Sequence, residues 1–127
     1  MPLVRISLMK GKPVGFGKQV GTIVYQAMRD TISVPEHDNF QVISEHEPQE
    51  LIFDRNYLGI SRTDGIVIIQ ITLNEGRALE LKKALYQTIA DRLHAGLDIR
   101  REDVFISLVE VKKENSSFGN GIAQYAQ

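Results

Sequence analysis

Two stretches of the sequence, residues 2–8 (PLVRISL) and residues 66–73 (IVIIQITL), decide the fold, because the second repeats the pattern of the first. Both are rich in β-branched residues and are followed by a turn that contains glycine, which predicts a β-strand in each. A constant shift that carries Leu8 onto Leu73 overlays residues 1–62 on residues 66–127 without a gap. Identical residues meet under this shift at Gly11 and Gly76, Lys18 and Lys83, Asp38 and Asp103, Phe40 and Phe105, and Glu45 and Glu110. The chain is therefore predicted to be an internal duplication.

Each half is predicted to contain a strand, a helix and a second strand. Apolar residues four positions apart, the spacing of one helix face, recur in both halves. These residues are Val20, Val24 and Met28 in the first half, and Leu81, Leu85, Ile89 and Leu93 in the second. Pro35 is expected to break the chain after the first helix, and Gly96 suits the end of the second. Residues 40–45 and 104–111 are predicted as the closing strands.

These elements predict an α/β (α+β) fold in which residues 1–127 form a single domain. The two strands of a β-α-β unit run parallel and are joined by a right-handed crossover. Two such units give a four-stranded sheet with both helices on one face. The other face, which includes Leu3, Arg5 and Gln70, is too apolar to stay bare, so we expect an oligomer to cover it. Phe118, Ile122 and Tyr125 are expected to form a docking tail.

Composition excludes several classes of function. The chain has no cysteine, which rules out a disulfide framework, a thiolate zinc site and a cysteine nucleophile. Its net charge of -1 gives no general attraction to nucleic acid or to an anionic membrane. No apolar run approaches a membrane span, and no secretory signal is present, so a cytoplasmic protein is expected. The glycines of residues 11–21 match no phosphate-binding motif, and the three histidines lack metal-ligand spacing.

Pro2 is the first candidate for chemistry, although a proline at the start of a strand also has a purely structural explanation. Initiator methionine is commonly removed before a small residue, which would leave Pro2 with a free secondary amine. An α-amino group titrates near pH ~8, and partial burial would lower that pKa. An amine that is neutral at pH 7 can act as a general base, and its conjugate acid as a general acid.

Arg77 is the second candidate, because it follows Gly76 where the second helix is expected to begin. A cation at that end opposes the helix dipole, whereas an anion bound between Arg77 and the free N–H groups would be favourable. The alternative is a solvated arginine that pairs with Glu75 or Glu80.

Four features occur together and in order: Pro2 after the initiator methionine, residues 34–38 (VPEHD), the Gly76-Arg77 step and residues 117–119 (SFG). With these features the sequence resembles the tautomerase superfamily, and within it the group around malonate semialdehyde decarboxylase. The resemblance covers nearly the whole chain. It implies a homotrimer of β-α-β repeats whose catalytic group is an amino-terminal proline.

The resemblance also implies roles for individual residues. Pro2 would be the catalytic amine, and Arg77 would hold the carboxylate of a small substrate. Asp38 matches an aspartate that helps to activate water or to position the substrate, and Phe118 would form an apolar pocket wall. Because Asp103 repeats Asp38 in a half that has no such amine, a turn role in which each aspartate bonds its own backbone is the alternative.

Two positions depart from the decarboxylase pattern. The second arginine of the decarboxylase is replaced by Glu75, and a tryptophan common among relatives is replaced by Ser116. We therefore predict keto–enol tautomerisation of a small 2-oxo acid, such as an aryl pyruvate, without a metal or an organic cofactor. Decarboxylation or hydration of a 3-oxo acid is the enzymatic alternative. The non-enzymatic alternative is a trimeric module that binds a small anion and catalyses no reaction.

Overall fold

The computed structural model describes residues 2–127 and contains one four-stranded sheet with two long helices. The elements are β1 (Pro2–Met9), α1 (Phe16–Ile32), β2 (Phe40–His46), β3 (Val67–Asn74), α2 (Leu79–Leu97) and β4 (Val104–Val111). The strand order is β2-β1-β3-β4, with β1–β2 and β3–β4 parallel and the central pair β1–β3 antiparallel. The shift that carries Leu8 onto Leu73 also carries β1 onto β3, so the predicted pair of β-α-β units is confirmed.

The core lies between the sheet and the two helices. Alternate residues of β1 and β3 face it, because successive side chains of a strand point to opposite faces. The buried residues of both strands and both helices include Val4, Ile6, Leu8, Val67, Ile69, Ile71, Leu73, Val20, Val24, Met28, Leu85, Ile89 and Leu93. Leu81, predicted to belong to the same stripe, is instead 42% exposed. A spacing of four overshoots the 3.6-residue turn, so the stripe has rotated away from the core at Leu81.

The second helix ends later than Gly96, which corrects the predicted helix end. It continues to Leu97, and Asp98 takes the left-handed conformation at φ 55° with its N–H bonded to the His94 carbonyl at 3.1 Å. Gly96 has a packing role, because a Cβ there would lie 3.3 Å from Ile23 Cδ1 of α1. After the first helix, Ser33 forms the left-handed cap and Pro35 follows, as expected.

The outer face of the sheet is left uncovered by the chain's own helices. Phe40 of β2, Val42 of β2 and Phe105 of β4 are 50%, 43% and 47% exposed. Strands β2 and β4 are also the two edges of the sheet. The predicted half-apolar second face is therefore present. Within residues 2–127, neither helix nor any other helical segment is both long and apolar enough to cross a membrane.

Asp103 anchors the connection between the two halves at the end of the sheet where β3 begins. It is 2% exposed, and its carboxylate accepts hydrogen bonds from the Thr63 N–H at 2.7 Å and the Thr63 hydroxyl at 2.6 Å. Arg100 Nη1 lies 3.6 Å from the same carboxylate. The expectation that Asp103 bonds its own backbone is therefore wrong, since the carboxylate fixes a loop that is distant in sequence.

Candidate active site

Pro2 opens β1, one of the two central strands, and it is buried. It lies opposite Leu73 in the antiparallel pair with β3. A proline tolerates the first position of a strand because the missing N–H is not needed for the ladder there. The pairing confirms the strand predicted for residues 2–8.

A cleft of about 410 Å³ opens beside Pro2. Its walls come from the start of β1, the start of β2 and the segment that follows β4. The lining residues are Pro2, Leu3, Phe40, Asn115, Ser116, Ser117 and Phe118. The structure thus places Pro2 and Phe118, two of the four predicted site residues, in one cleft. Apolar walls on an amine disfavour its charged form, because they remove water from it.

The segment after β4 holds Phe118 in place through a closed loop. The Phe118 N–H donates to Gln124 Oε1 at 2.9 Å, and Gln124 Nε2 donates to the Gly119 carbonyl at 2.8 Å. The rings of Phe118 and Tyr125 meet edge to face with centroids 5.3 Å apart. Gly119 takes φ 144°, a conformation that side chains rarely adopt, which lets the chain fold back on itself. The tail therefore presents Phe118 to Pro2 as a fixed wall.

Asp38 lies in a second cleft, of about 420 Å³, next to the first. Phe40 and Phe118 line both clefts, so the cleft of Asp38 adjoins the cleft of Pro2. The Asp38 N–H donates to the Pro35 carbonyl at 3.3 Å, which closes a turn over residues 35–38. Asp38 is half-buried.

Arg77 lies at the same end of the sheet as Pro2, but it does not line either cleft. Its Nη1 donates to the carbonyl of Asn74 at 3.1 Å, and Asn74 follows the Leu73 that pairs with Pro2. Arg77 precedes Ala78, the N-cap of α2, so it stands one residue before the cap rather than inside the helix. Among residues 2–127 it forms no ion pair with Glu75 or any other acidic group, contrary to the solvated-pair alternative.

A carboxylate on β4 shapes the charge near Arg77. Glu110 lies opposite Leu73 across the β3–β4 pair and binds Lys82 Nζ at 2.6 Å. The hydrogen bond from Lys82, with the charges of Lys82 and Arg77, lowers the pKa of Glu110 below its ordinary value. Glu110 therefore stays ionised at neutral pH and offsets part of the positive charge at this end of the sheet.

Sequence reasoning missed two residues of this region, Phe40 and Asn74. Phe40 lies opposite Leu3 in the parallel β1–β2 pair, which brings its ring to the Pro2 cleft. Its position at the start of the predicted second strand was the available signal, because parallel strands bring their starts together. Asn74 ends β3 beside Pro2, and no local pattern in the sequence points to it.

Two further expectations concern a metal ion at the site and the removal of Met1. The residues that the structure describes contain no group of three or more His, Cys, Asp or Glu side chains arranged to hold a metal ion. The expected removal of Met1, on which a free Pro2 amine depends, lies outside the described residues.

Comparison with known proteins identifies similar chains over nearly the whole length. A family model described as "Tautomerase enzyme" matches residues 38–119. The "Probable tautomerase YusQ" of Bacillus subtilis (strain 168) is 44% identical over 124 residues, covering 98% of this chain and 98% of the relative.

Solved structures give the same result. A malonate semialdehyde decarboxylase, FG41, inhibited by 3-bromopropiolate, superposes with a TM-score of 0.90 and 31% identity, covering 97% of this chain and 93% of the other. A symmetric trimer of wild-type fused 4-OT superposes with a TM-score of 0.79 at 21% identity, covering 98% of both chains, and shows likeness of fold.

Proposed function

The chain belongs to the tautomerase family, and on that premise we propose that it catalyses keto–enol tautomerisation of a small 2-oxo acid with an aromatic substituent, such as phenylpyruvate. One observation carries the proposal: buried Pro2 opens a central strand and lines a cleft that two phenylalanine rings wall. A free amine at Pro2 would border that cleft, and an aryl group matches the part of the wall formed by Leu3, Phe40 and Phe118.

In the proposed reaction Pro2 moves one proton. The neutral amine takes the proton of the enol hydroxyl, and the electron pair of that O–H bond forms the carbonyl. The enol double bond then takes the proton back from the prolinium at carbon, which yields the keto acid and restores the amine. The reverse direction begins with removal of the carbon-bound proton. Each direction needs a base whose pKa lies near the operating pH, which a partly buried amine provides.

Arg77 would anchor the substrate carboxylate in this mechanism. Its Nη1 already donates to the Asn74 carbonyl, which leaves the other guanidinium N–H groups for an anion. An arginine binds a carboxylate through two parallel hydrogen bonds, and it also stabilises the negative charge of the enolate. The side chain has to turn from the position seen in this single chain, because Arg77 does not line the cleft.

A second candidate function is decarboxylation or hydration of a 3-oxo acid, and the 31% identity to a malonate semialdehyde decarboxylase favours it. In that reaction a cationic Pro2 polarises the carbonyl and Asp38 assists water. Against it stands Glu75, which is exposed and has its N–H bonded to the Val111 carbonyl at 2.9 Å. Glu75 brings a negative charge to the position where the resemblance implies a second carboxylate-binding arginine.

The proposal includes assembly into a homotrimer. The uncovered outer face carries exposed Phe40, Val42 and Phe105, and burial of such apolar area drives association. A cyclic trimer also covers sheet edges, which are otherwise open to unwanted pairing. A neighbouring subunit would then stand close to the Pro2 cleft, because Phe40 belongs both to the outer face and to the cleft wall.

The test measures phenylpyruvate tautomerisation by protein from which Met1 has been removed. The intact mass of the same sample verifies that removal. We expect turnover that falls at least about a hundredfold when Met1 is retained, because the Pro2 nitrogen is then part of an amide and general acid–base catalysis by one group contributes roughly 10²–10⁴-fold. Pro2→Ala keeps a primary amine that is no longer fixed by the ring, so turnover should fall in this variant but by less. Pro13→Ala is the matched control, since Pro13 is exposed and lies beyond the far end of β1.

The direction of the pH dependence separates the two reactions. Tautomerase activity should fall as Pro2 becomes protonated, whereas decarboxylase activity should require the proton. Equal activity of Pro2→Ala and wild type would overturn the role of Pro2, whereas no turnover of 2-oxo or 3-oxo acids by wild type without Met1 would overturn the proposed function and favour an anion-binding module.

A further inference from the structure

Asn74 links Pro2 and Arg77, the two residues to which the proposed function assigns a role in the reaction. It is the last residue of β3 and directly follows Leu73, the residue opposite Pro2. Its carbonyl accepts the hydrogen bond from Arg77 Nη1 at 3.1 Å. The backbone of Asn74 thus holds Arg77, and the register puts Asn74 one residue beyond the Leu73 that pairs with Pro2.

The side chain of Asn74 contains a buried acceptor. Its Oδ1 is shielded from solvent and has no hydrogen-bond partner among residues 2–127. Because side chains alternate along a strand, Asn74 points to the same outer face as Thr72, and Thr72 lies opposite Leu3 of the cleft wall. A buried acceptor without a donor is unfavourable, so this position is suited to a donor that arrives at the end of β1.

We propose that Asn74 is the positioning residue of the Pro2 amine, with Asn74 Oδ1 accepting the Pro2 N–H once Met1 is removed. The inference rests on the proposed function of Pro2 as the base. A neutral secondary amine has one N–H and one lone pair, so fixing the N–H fixes the direction of the lone pair. The lone pair then faces the cleft, where the substrate proton arrives.

The hydrogen bond between Pro2 and Asn74 Oδ1 also orients Pro2 when it returns the proton to the substrate carbon. Protonated Pro2 has two N–H bonds, of which one stays on Asn74 Oδ1 and the other is the proton delivered to the substrate carbon. Hydrogen bonds from a cation are stronger than those from a neutral donor, so Asn74 favours the protonated amine. Asn74 therefore sets both the direction and the basicity of Pro2, without contacting the substrate itself.

The experiment compares Asn74→Leu and Asn74→Asp with wild type, each as Met-free protein verified by intact mass. The amine of Pro2 is titrated directly by NMR on protein labelled with ¹⁵N-proline, and kcat and KM for phenylpyruvate are measured against pH. Leucine has a similar volume and no acceptor, so the titration midpoint should fall by about half a pH unit. Aspartate supplies a charged acceptor, so the midpoint should rise by about one pH unit or more.

Kinetic constants provide the second readout. In Asn74→Leu we expect kcat to fall roughly tenfold or more with KM little changed, because a misdirected base slows the proton transfer without weakening binding. The acid limb of the pH profile should move with the NMR midpoint in both variants. Thr72→Val is the control, since it changes the outer face two residues away in the same strand and should leave the midpoint in place.

The outcomes separate this inference from the proposed function. Opposite shifts of the midpoint in the leucine and aspartate variants support the role of Asn74, even if wild type shows no turnover. Unchanged midpoints in both folded variants overturn it, even if turnover depends fully on Pro2. Shifts of equal size in Thr72→Val would also overturn it, because they would show a general effect of the outer face.

Discussion

Pro2 and Leu73 face each other across the antiparallel pair that joins the two halves of the sheet. Leu73 in turn lies opposite Glu110, so one row of residues crosses β1, β3 and β4 at a single end of the sheet. The chain leaves β3 just beyond this row and reaches Arg77. The duplicated halves therefore differ in position here, because Val67, the counterpart of Pro2 in the second half, lies at the opposite end of the sheet and pairs with Leu8.

Replacement of Arg77 should weaken the use of carboxylate substrates without weakening the fold. We expect Arg77→Ala to lower kcat/KM for phenylpyruvate about 10- to 100-fold, since a hydrogen bond to a charged group is worth about 1.5–3 kcal/mol. The methyl ester of the same acid should lose much less, because it has no carboxylate. Arg29→Ala, in the last turn of α1, is the control. An equal loss with acid and ester would contradict the role of carboxylate anchor.

A charge on the outer face of the sheet should prevent trimer formation. Phe105 and Val42 are exposed in the single chain, and burying a new carboxylate between subunits is unfavourable. Light scattering should give about three times the chain mass of 14.3 kDa for wild type, and a mass near 14.3 kDa for Phe105→Asp and Val42→Asp. Val14→Asp should leave the trimer intact, since Val14 is fully exposed in the loop after β1. Wild type at the mass of a monomer would refute the assembly.

Removal of the Asp103 carboxylate should destabilise the protein and spare the chemistry. Both Thr63 donors lose their acceptor, and Arg100 loses a nearby opposite charge. We expect Asp103→Ala to lower the free energy of unfolding by about 2–4 kcal/mol, as seen when buried charged acceptors are lost. Urea unfolding measures this value. Turnover per folded molecule should match wild type, because Asp103 lies at the end of the sheet away from Pro2; a loss of turnover without a loss of stability would contradict this reasoning.

Acid should weaken the link between the two helices. Asp30 of α1 accepts hydrogen bonds from Arg92 of α2 at 2.7 Å and from Gln26 at 3.0 Å, and these bonds lower the pKa of Asp30 below its ordinary value of 3.8. A carboxyl whose pKa is lower in the folded protein adds stability above its unfolded pKa. That stability disappears as the pH falls through the folded pKa, which lies below 3.8.

Urea midpoints for wild type and Asp30→Asn should therefore differ near pH 7 and converge at acidic pH. Glu114→Gln, an exposed carboxyl after β4, should follow the wild-type curve throughout. A constant difference between Asp30→Asn and wild type down to the acid transition would show that ionisation of Asp30 does not contribute to stability.

Local patterns were sufficient for the elements of the fold. The alternation in residues 2–8 and 66–73 predicted the central strands, and the apolar stripe of α1 predicted a helix face that is buried. Two details were not predicted in this way: Leu81 is exposed, and α2 ends one residue beyond Gly96. A helix face rotates with distance along the chain, and a helix end is set by hydrogen bonds that composition alone does not fix.

The candidate site was predictable only in part. The resemblance to a known family pointed to Pro2, Asp38, Arg77 and Phe118, and the structure brings Pro2 and Phe118 into one cleft with Asp38 in the next. The roles of these residues remain predictions for the experiments above. Phe40 came to light through the parallel pairing of β1 with β2, because its nearest partners lie far away in sequence.

By itself the sequence determined two β-α-β halves with one buried face each, because strand alternation and helix periodicity are local properties of the chain. Only the tertiary structure decided that β1 and β3 meet antiparallel in the register that sets Pro2 opposite Leu73. This register depends on side chains of both halves sharing one core, since a slip by one residue would turn every buried side chain to the outer face. The same constraint brings Asn74 beside Pro2 and holds Arg77 at that end of the sheet.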